Sequence, residues 1–151
     1  MQTSNSRRLF LVHSSAVFGC TMMPRVWAAD DKAAFDAALA AIVGSREVSE
    51  AGITLTTPAI AENGNTVPIT VEVDEPFSAE RYVRAIHILA EQNPQPEVAS
   101  YYFTPAAGRA KVAARIRLAR TQRVFALAEL SDERVLRAAN EVKVTIGGCG
   151  G

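Results

Sequence analysis

Val67-Pro68-Ile69-Thr70-Val71-Glu72-Val73 sets an aliphatic side chain at every second position, with a polar residue or proline between. A period of two puts the four aliphatic residues on one face, the pattern of a strand with one face in a core. Outward from this stretch the pattern recurs. Val112, Ala114, Ile116 and Leu118 alternate with Ala113, Arg115, Arg117 and Ala119, and Ile53 and Leu55 alternate with Thr54 and Thr56. Further strands are expected over residues 82–90, 98–104, 123–130 and 141–146. The breaks carry turn chemistry: Glu62-Asn63-Gly64-Asn65, Asp74-Glu75-Pro76, Asn93-Pro94-Gln95-Pro96 and Pro105-Ala106-Ala107-Gly108. Seven or so short strands in roughly 100 residues predict a mostly β chain, an immunoglobulin-like antiparallel β-sandwich. A small barrel is the alternative.

Ahead of the strands the period is 3.6. Phe35, Leu39, Ile42 and Val43 recur three to four apart among alanines, Asp30 is placed to cap the start, and Gly44 is placed to end it. One N-terminal helix is expected. It either covers the sandwich or packs on a partner.

The 151 residues carry 16 basic and 16 acidic groups, for a formal net charge of zero. Nucleic-acid binders show a basic excess, and none is present, so no nucleic-acid partner is expected. Residues 1–28 hold three of the basic groups and no acid; without them 13 basic groups face 16 acidic ones, a net of −3. In that segment Arg7-Arg8 precedes Leu9-Phe10-Leu11, an apolar run reaches Gly19, and Val26-Trp27-Ala28 offers small or medium residues for cleavage. This is the layout of a secretory signal, and Arg7-Arg8 before an apolar run resembles the twin-arginine export motif. The run is too short to span a membrane. Gly19-Cys20 would suit part of a lipobox, but Phe18 is too bulky for the usual pattern, so a lipoprotein is not expected. Three regions are expected: a signal over 1–28, a carrier domain over 29–146 and an arm over 147–151.

The arm reads Gly147-Gly148-Cys149-Gly150-Gly151. Five residues offer one side chain, a thiol. Glycine loses the most backbone freedom on ordering, so a flexible arm is expected, reaching roughly 15 Å when extended. Cleavage after Ala28 removes Cys20 and leaves Cys149 unable to form an internal disulfide. The arm supplies neither base nor cation to activate the thiol. Such a group suits a substrate-attachment site served by partner enzymes, with no catalytic residue, cofactor or metal ligand of its own.

Val142-Lys143-Val144-Thr145-Ile146-Gly147-Gly148-Cys149-Gly150-Gly151 resembles the C-terminus of the SoxY family of thiosulfate-oxidation proteins. The segments at 65–71, 82–90, 93–99 and 115–119 are also similar to that family. The Tat-like motif ends in Val12, where Lys is common. The resemblance implies a periplasmic carrier exported by the twin-arginine route, with sulfur intermediates held covalently on Cys149. It implies a heterodimer with a SoxZ-type subunit. It also implies a c-type cytochrome that conjugates thiosulfate, a hydrolase that releases sulfate and a sulfane dehydrogenase.

Other groups have plainer readings. His87, the one histidine after residue 28, is expected to be structural, on a strand face with Val83, Ala85 and Leu89 opposite Tyr82, Arg84, Ile86 and Ile88. Arg109, Lys111, Arg115, Arg117, Arg120 and Arg123 read as a solvated basic face, or else as a docking surface for an acidic partner. Tyr101, Phe103 and Phe125 read as core or interface. Competing functions are a ubiquitin-like sulfur donor ending in Gly-Gly, a structural adhesion module linked through Cys149, and a cysteine hydrolase in which His87 reaches the arm.

Overall fold

The computed structural model describes residues 27–146. Helix α1 (Trp27–Val43) comes first, and nine strands follow among the described residues: β1 (Val48–Ser49), β2 (Ile53–Thr56), β3 (Ile60–Ala61), β4 (Val67–Val73), β5 (Val83–Ala90), β6 (Glu97–Tyr102), β7 (Ala110–Ile116), β8 (Gln122–Leu130) and β9 (Val135–Val144). They form two open sheets, so the sandwich stands and the barrel does not. The larger sheet runs β1-β9-β8-β5-β6, with β3 also on β9; the smaller runs β2-β4-β7. Pairing is antiparallel except for β1 and β3, which join β9 in parallel.

The core between the sheets follows the alternation of β4. Val67, Ile69, Val71 and Val73 point inward with Ile53, Leu55, Val112 and Ile116. Against them the larger sheet sets Ile86, Ile88, Val124, Ala126, Ala128, Leu130, Leu136 and Val142. Burying each such aliphatic side chain contributes about 1.5–3 kcal/mol. Pro68, which has no N–H to give, falls where β4 is paired on one side only, since β2 joins it from Thr70 onward.

The outer face of the larger sheet is covered by α1. Phe35, Ala38, Leu39, Ile42 and Val43 pack on Leu89, Phe125, Leu127 and Val135, and the Phe35 and Phe125 rings lie 5.0 Å apart. The molecule is thus three layers: helix, larger sheet, smaller sheet. This settles the place of the helix. It begins at Trp27, three residues before the expected Asp30 cap. It ends as expected at Gly44, whose positive φ of 58° and N–H bond to the Ala40 carbonyl (2.8 Å) close the last turn.

Three expectations need correction. β9 begins at Val135 rather than at residue 141, because Val135 packs on the helix and Leu136 on the core. Burial on both faces removes the alternation that marks a strand. The two-residue strands β1 and β3 leave no periodic signal. On β5 the register shifts between Val83 and Ala85, so Arg84 is an extra residue opposite β8. This bulge turns Val83 into the core beside Ile86 and Ile88, away from the face it was expected to share with His87.

Candidate functional site

The expected attachment residue Cys149 and its flanking Gly147, Gly148, Gly150 and Gly151 lie outside the described residues, as do Arg7 and Arg8 and nearly all of the expected signal. What the structure defines is the root from which the last residues depart.

That root is gripped from both sides. On one side the Lys143 N–H donates to the Ala59 carbonyl at 3.0 Å and the Thr145 N–H to the Ala61 carbonyl at 3.1 Å. The Thr145 hydroxyl donates to the Glu62 carbonyl at 2.9 Å. On the other side the Val144 N–H donates to Thr121 Oγ1 at 2.9 Å. The Ile146 carbonyl accepts the Gly64 N–H at 2.8 Å, and the Gly64 carbonyl accepts the Leu118 N–H at 2.8 Å. An Asx turn, with Asn65 N–H on Asn63 Oδ1 at 2.8 Å, shapes the loop that supplies Gly64. Backbone groups hold the chain as far as Ile146, although β3 is two residues long and Thr121 lies on a turn.

Asn93 organises the same end of the sandwich. It is buried, its Oδ1 accepts the Ala119 N–H and Gln122 Nε2, both at 2.9 Å, and its Nδ2 donates to the Arg117 carbonyl at 2.9 Å. One side chain thereby fixes the turn between β7 and β8, and with it Thr121. The sequence marked Asn93-Pro94 only as a turn. Arg120, next to Thr121, pairs with Asp31 of α1 and ties the helix to this end.

The basic stretch resolves into separate fates. Lys111 pairs with Glu72 at 2.9 Å, Arg120 pairs with Asp31, and the Arg123 guanidinium lies 4.7 Å from the Phe125 ring centroid. Arg115 and Arg117 are exposed, with no carboxylate in ion-pair range among the described residues. Tyr101 and Phe103 are partly buried against the core, and Phe125 is buried under the helix.

His87 belongs to a different place. The residue is 6% exposed; Nε2 lies 2.8 Å from Glu129 Oε1 and Nδ1 lies 2.7 Å from Ser100 Oγ. The Ser100 hydroxyl in turn donates to Glu97 Oε1 at 2.5 Å. Glu129 also accepts Arg46 Nη1 at 2.6 Å, and Arg46 caps the Ile42 and Val43 carbonyls at the end of α1. Burial works to raise the Glu129 carboxyl, but the hydrogen bonds from Arg46 and His87 outweigh it and hold the group below the ordinary carboxylate range. The chain Glu97–Ser100–His87–Glu129–Arg46 locks the helix to the sheet.

His87 pairs with Leu127, which pairs with Arg137. From Arg137 to Val144 the strand rises roughly 23 Å at about 3.3 Å per residue. Three residues past Ile146 reach at most about 11 Å. A cysteine hydrolase served by His87 does not fit that geometry.

Among the described residues no three His, Cys, Asp or Glu side chains stand together as a metal site, and no helix is long and apolar enough to cross a membrane.

Comparison with known proteins follows the same outline. The family model for the sulfur oxidation protein SoxY matches residues 39–149. The structure of the sulfur carrier protein SoxY from Chlorobium limicola f thiosulfatophilum is similar, with 34% identity and a TM-score of 0.62 over 76% of this chain and 98% of that one. A superoxide reductase (neelaredoxin) variant from Ignicoccus hospitalis aligns at 17% identity and a TM-score of 0.56, over 69% of this chain and 86% of that one. A hypothetical protein from Pyrococcus horikoshii aligns at 13% identity and 0.51, over 66% and 96%. These last two share the fold alone. No curated protein sequence matches.

Proposed function

The chain belongs to the SoxY family of sulfur oxidation proteins, and on that premise we propose that it is the covalent substrate carrier of a periplasmic thiosulfate-oxidising system, with Cys149 as the attachment site. The observation that carries this reading is the family match, which runs through the gripped strand end to residue 149.

The root supports the reading. A carrier must offer one group to several active sites in turn, which asks for a fixed body and a thin free end. Here the body is hydrogen-bonded as far as Ile146, and the next five residues are four glycines around one thiol. Extended, residues 147–149 carry the sulfur about 10 Å clear of the sheet. Ile60 on β3 and Ile146, two residues past β9, are 59% and 68% exposed and offer apolar surface for brief docking.

In this account the protein supplies attachment and presentation, with no cofactor or metal of its own. A c-type cytochrome partner conjugates thiosulfate to the Cys149 thiolate oxidatively, a hydrolase releases the terminal sulfone as sulfate, and a sulfane dehydrogenase oxidises the remaining sulfane. A SoxZ-type subunit completes a heterodimer. Arg7-Arg8 directs export by the twin-arginine route to the periplasm.

Reconstitution tests this. With the partner enzymes and thiosulfate, the wild-type chain supports cytochrome reduction and sulfate release, and Cys149→Ser abolishes both. Undiminished turnover with Cys149→Ser would refute the assignment.

A further inference from the structure

The loop that grips the root carries the chain's one Asn–Gly pair, Asn63-Gly64. At such a pair a backbone nitrogen readily attacks the preceding side chain, because glycine puts no Cβ in the way. The other asparagines after residue 28 are less open to this chemistry. Asn93 precedes Pro94, which has no N–H; Asn65 precedes the β-branched Thr66; Asn140 lies inside β9, paired with Val124.

Two observations bear on the pair. Asn63 is exposed, and its Oδ1 accepts the Asn65 N–H at 2.8 Å. That Asx turn folds the carboxamide back over the Asn63–Gly64 peptide and brings Cγ toward the Gly64 nitrogen. Gly64 is buried, and both of its backbone groups are engaged: its N–H donates to the Ile146 carbonyl, and its carbonyl accepts the Leu118 N–H, each at 2.8 Å. Just before the pair, the Glu62 carbonyl accepts the Thr145 hydroxyl at 2.9 Å. The electrophile is held close, and the nucleophile is tied to the last residue of the fixed body. Gly64 can attack only while its bond to Ile146 is open, so the reaction runs through local opening of the root.

We propose that Asn63 is a deamidation site gated by Ile146, and that its conversion to isoaspartate releases the root of the C-terminal segment. The Gly64 nitrogen gives its proton to hydroxide and bonds Asn63 Cγ; the Cγ–Nδ2 bond breaks and ammonia leaves, closing a five-membered succinimide. Water then opens the ring. Cleavage at Cγ leaves aspartate and the original backbone. Cleavage at the main-chain carbonyl leaves isoaspartate, with the chain routed through Cγ and a free α-carboxylate. No electrons change hands, and water is the one co-reactant.

The isoaspartate path is longer by one C–C bond, about 1.5 Å. It falls between Glu62, which holds Thr145, and Gly64, which holds Ile146 and Leu118. Those contacts were set for a normal peptide spacing, and a hydrogen bond does not survive a displacement of that size. The end of the fixed body then retreats from Ile146 toward β9, and the free segment lengthens. Aspartate at 63 keeps both the backbone spacing and an oxygen for the Asx turn, so it leaves the root in place.

The test holds the full-length protein in warm, mildly alkaline buffer, folded and in urea, and follows Asn63 by peptide mass and by the isoaspartate content of the peptide that contains it. Folded wild type should form isoaspartate at Asn63 about 10-fold or more slowly than the unfolded chain. Thr145→Val removes the hydroxyl that holds Glu62 and keeps the shape; it should speed the folded reaction about 3- to 10-fold without changing the rate in urea. The isolated isoaspartate form should lose amide-exchange protection at Gly64 and Leu118 while β4 and β8 keep theirs, and Asn63→Asp should keep protection at all of them. Equal rates in the folded and unfolded chain, no isoaspartate at Asn63 in the folded protein, a Thr145→Val rate equal to wild type, or full Gly64 protection in the isoaspartate form would overturn the proposal. None of these readouts involves Cys149, so they stand apart from the turnover test of the carrier function.

Discussion

Thr121 Oγ1 accepts the backbone N–H of Val144 at 2.9 Å and lies 3.4 Å from the Val144 carbonyl, so a turn residue stands in for a neighbouring strand at the end of β9. This contact and the Gly64–Ile146 bond decide where the fixed body stops. Thr121→Val removes the acceptor and keeps the shape. A single exposed hydrogen bond contributes about 0.5–1.5 kcal/mol. The Val144 amide should exchange roughly 3- to 10-fold faster in the variant, with global stability little changed. Unchanged exchange would show that β3 alone holds the strand.

Asn93 carries more weight. Its side chain is buried and joins Arg117, Ala119 and Gln122 through three hydrogen bonds. Asn93→Ala strands the Ala119 N–H and the Arg117 carbonyl and is expected to cost about 2–4 kcal/mol in denaturant unfolding. A cost under about 0.5 kcal/mol would mean that water replaces the amide without loss.

Helix α1 is held by an aromatic anchor. Phe35 is 4% exposed against Phe125. Phe35→Ala should destabilise the protein by about 3 kcal/mol, and hydrogen exchange should rise over the helix before it rises over β4. Uniform exchange over both elements would show that helix and sheets unfold as one unit.

The Glu129 carboxyl, held below its ordinary value of 4.5 by Arg46 and His87 against the effect of burial, ties helix to sheet through charge. Its contribution to stability is fully present above pH 4.5 and is lost as pH falls through the lowered folded value. Glu129→Gln should therefore be less stable than wild type at neutral pH, and the gap should close as the solution is acidified. Glu72 and Asp132 are also lowered, by Lys111 and Arg134, so the variant keeps part of the acid slope. A gap that stays constant down to strong acid would contradict the ionised role of Glu129.

The sequence made β2, β4 and β7 legible because their outer faces meet water, and alternation survives only where one face is wet. It blurred the start of β9, where Val135 faces the helix while Leu136 faces the core. The bulge at Arg84 reversed a face assignment that strict period two predicts. Cys149 stood out by composition alone, since a lone thiol among glycines has no packing role to explain it. Asn93 and Thr121 did not. Each acts on residues more than twenty positions away, and no local pattern announces such a contact.

The carrier account is tested most directly by intact mass spectrometry of the protein from its native compartment, before and after reductant, beside Cys149→Ser. The account predicts reducible additions matching sulfane, sulfonate or thiosulfonate groups on the wild-type chain and none on the variant. An unmodified thiol, or only a protein–protein disulfide, even after thiosulfate and the partner enzymes are supplied, would contradict it.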